Sequence, residues 1–335
     1  MVLQRIYAIF KARNLEFFRD KAALAWTFVM PIAMVVGFAF TFGDEESQFK
    51  VALVSKEKMQ SLDFLQTKYI DFSEKDTKED ALSRVKDHRI DMLIDGETNK
   101  YFINPKSSNG YILEQILVNH PSTSVSGLAR AEIEGDIIRY IDWLIPGILA
   151  MNIMFGSLWG IGFIIVRYRK NGVLKRLKAS PVTAMEFLVA QLFSRLLVMI
   201  TTTGIVFGLL HFVLDFKMLG SYLLLLLVAT LGSICLISLS LVIAARIKSE
   251  ELASGLINVM SWPMMILGGV WFSLENAYDL LQNIAVIFPL THVIQAAREI
   301  MLDGAGFYEI APQLSYLGLL SIVFLVVGSY LFRWE

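Results

Sequence analysis

Six apolar stretches, each long enough to cross a lipid bilayer, constrain this chain more than any other feature of its sequence. A hydrocarbon layer about 30 Å thick needs roughly 20 helical residues at about 1.5 Å each. With 18% charged residues, the chain also lies below the charge content of about 25% that is usual in soluble domains. We therefore predict six membrane helices, at residues 22–42, 142–166, 187–214, 221–245, 252–272 and 312–332.

Lysine and arginine residues in the short connections predict the orientation of these helices, because cytoplasmic loops carry an excess of both. With the N-terminus inside, fourteen of these residues fall in cytoplasmic segments, and the short outside connections hold only Lys217 and Arg298. Both termini are therefore expected in the cytoplasm of a multi-pass plasma-membrane protein. The cytoplasmic segments before the last helix are then residues 1–21, 167–186 and 246–251.

A soluble domain is predicted at 43–141, between the first two membrane helices and outside the membrane. From Asp44 to Lys100, 24 of 57 residues are charged, which is typical of a solvated surface. Phe49 to Val54 and Arg89 to Asp95 have the pattern of short buried strands, and Thr77 to His88 places its apolar residues on one helical face. The predicted fold class is thus an all-α, six-helix membrane domain with an inserted small α/β domain.

Neither a metal site nor a disulfide is expected in the inserted domain. Asp87, His88 and Asp91 are candidate metal ligands, but no cysteine or second histidine lies near them, and surface charge explains them better. The single cysteine, Cys235, lies in the fourth apolar run and excludes an intrachain disulfide. A domain outside the membrane without disulfides is compatible with a bacterial inner membrane.

Charged residues inside the apolar runs are too few for transport driven by an ion gradient. Beyond Asp142 at the edge of the second run, none of the runs contains Asp or Glu, although a coupling ion needs a counter-charge. Arg195 in the third run is expected to reach the inner interface or to pair with a neighbouring helix, and a substrate contact is the alternative. The chain also lacks the G-x-x-x-x-G-K-[ST] phosphate loop, so we expect no enzyme activity and an energy source in a separate subunit.

The loop at 167–186 carries six lysines and arginines in its first twelve positions and has the features of a docking element. Gly172 permits a turn after the second membrane helix, and Val173, Leu174 and Leu177 lie at the spacing of one helical face. We therefore predict a short amphipathic helix here. Its positive charge fits three interpretations: it contacts a partner subunit, it contacts an anionic lipid surface, or it is only the excess of lysine and arginine that is usual in cytoplasmic loops.

Two segments near this loop and at the N-terminus are also predicted to be helical. Thr183 and Glu186 form a T-x-x-E capping box at the start of the third membrane helix. Residues 1–21 are predicted to form an interfacial amphipathic helix, which lies on the membrane or braces a partner. Its apolar side chains near one face are Leu3, Ile6, Tyr7, Phe10, Phe17 and Phe18.

The segment 273–311 is too polar to span a membrane but has an apolar centre at 280–290. Backbone that dips into a membrane must be helical or covered by protein. We predict a re-entrant extracytoplasmic hairpin that forms an outer gate. The alternative is an amphipathic loop that lies at the interface.

Three stretches, taken with the order of the helices, resemble the type-2 ABC exporter permeases that have an enlarged extracytoplasmic domain. YIDWLIPGILAMNIMFGSLWG (140–160) is similar to the opening of that family's second helix. In NGVLKRLKASPVTAMEFLVAQL (171–192), a Gly-x-Leu-x-x-Leu pattern before Ser-Pro resembles its coupling helix. ILGGVWFSLENAYDLLQNIAVIFPLTHVIQAAREIMLDG (266–304) resembles its fifth helix, re-entrant hairpin and Pro-Leu-Thr segment. The chain departs from the family before Gly172, where acidic residues are replaced by Arg169, Lys170 and Asn171.

The resemblance implies roles for individual residues. The coupling helix would receive the motion of an ATPase through Gly172, Val173, Leu174, Arg176 and Leu177. The outer gate would consist of Pro289, Leu290, Thr291 and Arg298. Polar or amphipathic side chains that could line a substrate cavity, with interhelical packing as the alternative role, are Asn152, Thr201, Thr202, Asn258 and Trp262.

The resemblance also implies partners. Two such permeases, identical or paralogous, would pair with two P-loop ATPase subunits that hold ATP and Mg²⁺, while this chain would hold no cofactor. Membrane lipid and an extracytoplasmic adaptor are further candidates, and no nucleic acid is expected, because no aromatic stacking platform accompanies the basic charge. Family members export drugs, lipids, lipid-linked glycans, peptides or ions, and we expect an amphiphile that leaves the cytoplasm or the inner leaflet. The alternative function is a membrane-anchored receptor or scaffold whose outside domain binds a partner.

Overall fold

A computed structural model divides the chain into two compact units, a helical unit at 1–41 with 141–335 and an inserted domain at 42–140. Within these units, the structure describes residues 2–42, 49–54, 67, 70–74, 77–86, 90–118, 129–132, 139–274 and 277–334.

The elements follow one another in the order helix, helix, mixed sheet domain and then helices only. The helices are α1 Val2–Arg19, α2 Lys21–Phe42, α3 Lys78–Lys86, α4 Ser108–Val118, α5 Tyr140–Ser157, a π-helix Leu158–Phe163, α6 Ile164–Lys170, α7 Val173–Lys178, α8 Ala184–Leu214, α9 Tyr222–Ala244, α10 Glu250–Leu267, α11 Asp279–Ala285, α12 Pro289–Asp303 and α13 Ala311–Leu331. The strands are β1 Phe49–Val54, β2 Ile70–Glu74, β3 Met92–Asp95, β4 Lys100–Ile103 and β5 Ala129–Glu132.

Four helices in the described part of the chain are long and apolar enough to cross a membrane. They are the continuous helix Tyr140–Lys170, α8, α9 and α13. Two bent pairs, α1 with Leu24–Phe38 of α2 at 62° and α11 with α12 at 94°, raise the number to six if each pair counts as one span. The number of membrane helices is thus four to six. α10, which covers only residues 252–267 of the predicted fifth run at 252–272, is not one of the four. It is only 18 residues long and begins with Glu250 and Glu251, which lower its mean hydropathy.

The core of the helical unit lies where the π-helix, α6, α7, α8 and α9 meet. Its fully buried side chains include Ile161, Leu174, Phe187 and Ile237. α9 contacts α8, α12, α13 and the π-helix and is the central helix of the unit. This arrangement agrees with the sequence of α9, which is apolar on all sides except for a few small polar residues, of which Ser238 and Ser240 donate hydrogen bonds to the helix backbone.

The inserted domain is a five-stranded mixed sheet with a helix packed on each face. The strand order is β2-β1-β3-β4-β5; β3 and β4 are antiparallel and the other pairs are parallel. Residues alternate between the faces: Val51 and Leu53 pack on α4, whereas Ala52 and Leu93 pack on α3. The predicted small α/β domain is therefore present in the structure.

The charged residues of this domain that were weighed as metal ligands are only partly described. Asp87 and His88 lie outside the described residues. Asp91 accepts a hydrogen bond from the backbone N–H of Lys50 at 2.8 Å. Within the described ranges, no group of three or more His, Cys, Asp or Glu residues could hold a metal ion.

One carboxylate of the inserted domain, Asp95, is 1% exposed and fully surrounded by donors. It forms an ion pair with Lys78 at 2.6 Å and accepts hydrogen bonds from the hydroxyl of Thr98 and from the backbone N–H of Glu97 and Thr98. Burial alone would raise its pKa, but these donors outweigh burial and lower the pKa to about 2. Asp95 is thus a buried charge that the protein itself satisfies.

Candidate functional site

A cavity of about 860 Å³ lies among α1, α2, α5, the π-helix, α8 and the region from α10 to Phe272. Most of its wall is formed by aromatic rings and methionine side chains. Of the six tryptophans in the chain, four line it: Trp26, Trp159, Trp262 and Trp271. We call this site the aromatic cavity.

One part of the wall is charged, because α1 and α8 each place a buried arginine there. Arg13 of α1 is 7% exposed and donates from Nη2 to the backbone oxygen of Gly160 at 3.0 Å. Its Nη1 pairs with Glu16 at 2.9 Å, and the hydroxyl of Tyr168 donates to the same carboxylate. The charge of Arg13 is therefore balanced within the protein.

The second arginine, Arg195 of α8, is 9% exposed. Its Nε donates to the backbone oxygen of Gly156 at 2.7 Å, and its guanidinium carbon lies 5.5 Å from the centre of the Phe17 ring. A Cβ atom at position 160 would lie 2.0 Å from that carbon, so the space beside the π-helix exists only because residue 160 is glycine. Arg13 and Arg195 thus flank Gly160, and we call them the arginine pair.

The π-helix itself lies at this contact. The two carbonyl groups that accept from the arginine pair, those of Gly156 and Gly160, lie just before and within Leu158–Phe163. A π-helical turn interrupts the regular pairing of backbone carbonyls, and such turns are frequent at functional sites. The arginine pair satisfies two of the carbonyl groups around this interruption.

α1 contacts the rest of the helical unit through polar side chains, which the amphipathic pattern did not predict. Arg5 pairs with Glu186 of α8 at 2.6 Å, and Asn14 accepts a hydrogen bond from Ser194 at 3.0 Å. The predicted apolar face is largely exposed, at Leu3, Tyr7 and Phe18 among others, whereas Phe17 is buried against α8. An apolar outer face agrees with a helix that lies against lipid.

The basic loop contains the predicted short amphipathic helix, α7, with its apolar side turned inward. Gly172 precedes it with a φ of 70°, a left-handed conformation that favours glycine. Leu174 is 0% exposed in the core of the unit, and Leu177 packs against the same cluster. The exposed residues of α7 are the basic ones, Lys175, Arg176 and Lys178. The capping box of Thr183 and Glu186 is confirmed at the start of α8.

Arg169, just before this helix, binds the ends of two other segments. It is 7% exposed, and its Nη1 and Nη2 atoms donate to the carbonyls of Ala244 at 2.9 Å, Ala245 at 3.0 Å and Arg333 at 2.8 Å. Nη1 also donates to Ile247. We call this contact the arginine clamp; it joins α6 to the end of α9 and to the C-terminal segment. In the sequence, Arg169 is one of several basic loop residues, and no signal distinguishes it.

Of the four residues assigned to an outer gate, three lie at the bend between α11 and α12, and Arg298 lies further along α12. Pro289 begins α12, Leu290 is fully buried, and Thr291 donates to the carbonyl of Ala285 at 2.7 Å. Arg298 donates to the carbonyls of Trp143 and Gly269, and its guanidinium carbon lies 3.5 Å from the centre of the Trp143 ring. These contacts hold α12 against α5; gating by them stays a prediction.

The residues predicted to line a cavity are distributed over several sites. Asn152 and Trp262 lie in the wall of the aromatic cavity. The side-chain nitrogen of Asn152 is buried and has no hydrogen-bond partner among the described residues. Thr202 donates to the carbonyls of Val198 and Met199 within α8, whereas Thr201 is exposed and Asn258 partly exposed. A substrate contact for any of the five stays a prediction.

Comparison with known proteins identifies the family. The family model described as ABC-2 family transporter protein matches residues 21–330. The chain is 26% identical over 190 residues to the inner membrane transport permease YhhJ of Escherichia coli K12, covering 56% of this chain and 51% of that protein. It is 22% identical over 225 residues to the probable multidrug ABC transporter permease YbhR of the same strain, covering 65% and 60% respectively. The matched regions thus span between about half and three fifths of these relatives. Because the family model covers nearly the whole chain, the protein belongs to the ABC-2 family of transporter proteins.

Proposed function

We propose that this chain is the permease subunit of an ATP-driven ABC exporter, which moves an amphiphilic substrate out of the cytoplasm or the inner leaflet. Membership of the ABC-2 family carries the proposal, and the two relatives named as transport permeases support it. Its site is the aromatic cavity, whose size and largely apolar wall suit a drug- or lipid-sized molecule.

The energy source in this proposal is a separate P-loop ATPase that holds ATP and Mg²⁺. Its docking surface is the exposed basic side of α7, formed by Lys175, Arg176 and Lys178. The membrane is a bacterial inner membrane, as the name of one relative suggests, and both termini lie in the cytoplasm. A second permease, identical or paralogous, completes the assembly.

The packing of α7 supports a way for motion to reach the membrane helices. Leu174 and Leu177 are embedded in a cluster with Phe187 of α8 and Ile237 of α9. Because closely packed side chains transmit displacement, a push on the basic side of α7 would move α8 and α9 with it. The arginine clamp adds a polar connection from α6 to the C-terminal end of α9.

Copurification tests this proposal. The tagged chain is extracted in mild detergent, and the bound proteins are searched for a P-loop ATPase. We expect the native chain to retain one, and a variant with Lys175, Arg176 and Lys178 replaced by Glu to lose it. The control carries the same reversal of three exposed lysines in the inserted domain, Lys50, Lys86 and Lys100, and should retain the ATPase.

Two results would contradict the proposal. If the native chain retains no ATPase, the chain is better described as an anchored receptor or scaffold. If both triple variants lose the ATPase equally, the basic side of α7 is not the docking surface.

A further inference from the structure

Arg195 has fewer partners than its burial requires. A guanidinium group carries five N–H donors, and a buried donor without a hydrogen bond is costly. Among the residues that the structure describes, only Nε of Arg195 donates a hydrogen bond, to Gly156, and no carboxylate pairs with it. The side chain is more than nine-tenths buried and lies in the wall of the aromatic cavity. Its charge is therefore left uncompensated by these residues.

The charges around the cavity do not remove this imbalance. Three arginines and two carboxylates line it: Arg13, Arg167, Arg195, Glu16 and Asp20. Glu16 is already engaged by Arg13 and by Tyr168. Arg13 and Arg195 lie close together at Gly160: Arg13 donates to the Gly160 carbonyl, and Arg195 occupies the space where a Cβ of residue 160 would stand. The three arginines and two carboxylates leave a surplus of one positive charge in the cavity wall, and two of the guanidinium groups are neighbours. Such an environment favours an anion.

The rest of the wall has the opposite character. Trp159 and Trp262 belong to a surface of rings and thioethers that binds apolar groups. A free inorganic anion would gain nothing from this surface. A cationic amphiphile would gain ring contacts but would meet the surplus positive charge of the arginine pair.

We infer that the aromatic cavity binds an amphiphile with an anionic head group, a phosphate or a carboxylate, whose head contacts Arg195 and Arg13 and whose apolar part lies among the tryptophans. This inference rests on the proposed function, because it names the class of substrate for the same site. The unpartnered side-chain amide of Asn152 adds a hydrogen-bond donor to the wall.

The test uses the full chain in nanodiscs of phosphatidylcholine, a lipid without net charge. The probe is dodecyl phosphate with a brominated tail, which quenches tryptophan fluorescence on contact. Specific binding is the part of the quenching that unlabelled dodecyl phosphate reverses. We expect dodecyltrimethylammonium, with the same tail and the opposite charge, not to reverse it, and inorganic phosphate to need a concentration at least about a hundredfold higher, because it lacks the tail.

Variants then assign the head group to Arg195. Arg195→Gln should weaken binding of the probe about tenfold or more, the size expected for a lost charge-assisted hydrogen bond. Arg246→Gln removes the same charge at an exposed position and should change binding less than about twofold. Arg195→Lys keeps the charge but lacks the planar guanidinium group, and its affinity for the probe should lie between those of Arg195→Gln and Arg246→Gln. If Arg195→Gln fails to fold, the Lys variant decides, since it must still prefer the phosphate to the ammonium amphiphile.

Three outcomes would overturn the inference. The cationic amphiphile could reverse quenching as well as the anionic one, inorganic phosphate could compete at the same concentration as dodecyl phosphate, or Arg195→Gln could bind like Arg246→Gln. The two proposals fail separately. Loss of anion selectivity with an ATPase still copurifying overturns only this inference, whereas selective binding without any ATPase overturns only the proposed function.

Discussion

Arg169 and Arg195 are buried to nearly the same degree, 7% and 9% exposed, yet the protein surrounds them differently. Arg169 donates to four backbone carbonyls at the ends of α9 and of the chain. Among the described residues, Arg195 donates to one carbonyl, that of Gly156. The comparison indicates that the first arginine holds segments of the fold together, whereas the second has donors to spare for a ligand.

A buried charge of the inserted domain sharpens this contrast. Asp95 accepts from Lys78, from the Thr98 hydroxyl and from two backbone N–H groups. Like the two Nη atoms of Arg169, it is bonded by groups of its own unit, although Nε of Arg169 has no partner among the described residues. We assign Asp95 to stability and not to binding. If the number of partners within the protein distinguishes structural charges from charges that bind a ligand, replacing a buried charged residue should lower the stability most where that residue has the most partners.

The largest effect is expected for Arg169→Gln. The shorter, neutral side chain cannot reach the carbonyls of Ala244, Ala245 and Arg333, and several buried acceptors lose their donor. We expect a loss of about 3 kcal/mol in the free energy of unfolding, seen as a lower unfolding temperature in detergent. Arg246→Gln, at an exposed position next to Ala245, should unfold like the native chain. If both variants unfold alike, the arginine clamp does not stabilise the fold.

The second effect concerns pH and Asp95. The pKa of Asp95 in the folded state, about 2, lies below the ordinary aspartate value of 3.8. The stabilisation is therefore fully present above about pH 4 and is lost as the pH falls from about 4 to about 2. The difference corresponds to roughly 2 kcal/mol. Hydrogen exchange of the β3 amides in the full chain should accelerate over this range, after correction for the intrinsic exchange rate. A matching acceleration in Asp95→Asn would assign the effect to other groups.

A smaller effect is expected for Gly160→Ala. The added methyl group would overlap Arg195, which has to move away from the π-helix, so we expect a loss of about 1 to 2 kcal/mol together with weaker binding of brominated dodecyl phosphate. Gly208→Ala, in α8, meets nothing within 4 Å and should be neutral or slightly stabilising, because alanine favours the helix. Equal unfolding temperatures for the two variants would contradict the close contact at Gly160.

The smallest effect on stability is expected for Arg195→Gln. The variant loses one hydrogen bond, to Gly156, but also removes a buried charge without an ionic partner, and these two effects oppose each other. We expect a change of less than about 1 kcal/mol in the free energy of unfolding. A loss as large as that of Arg169→Gln would make Arg195 a structural residue.

The sequence predicted the apolar helices better than their polar contacts. α8 and α9 follow their apolar runs closely, because runs of that length have few alternatives in a membrane. The fifth run is less clearly a membrane helix, since the glutamates at the start of α10 and Asn258 within it lower its mean hydropathy. The inner side of α1 was not predicted, because periodicity assigns apolar side chains to the protein interior. For a helix that also meets lipid, the outside is apolar as well, so Arg13 and Asn14 can face inward.

The roles of the two buried arginines depend on contacts between residues far apart in the chain. Arg169 meets Ala244 and Arg333, and Arg195 meets Gly156. No local pattern marks these pairs. Gly156 and Gly160 were not predicted to belong to a site, and their spacing does not indicate that arginines fill the space beside them.

The most direct test is to measure the unfolding temperature and the affinity for brominated dodecyl phosphate on Arg169→Gln and Arg195→Gln in the same neutral nanodiscs. We expect the two variants to differ in opposite ways, one in the unfolding temperature and the other in the affinity for the probe. Arg169→Gln should unfold at a lower temperature and, while folded, bind the probe like the native chain, whereas Arg195→Gln should unfold like the native chain and bind at least about tenfold more weakly. If each variant loses stability and affinity in the same proportion, buried arginines of the two kinds do not have separate roles, and the distinction between clamp and ligand site is wrong.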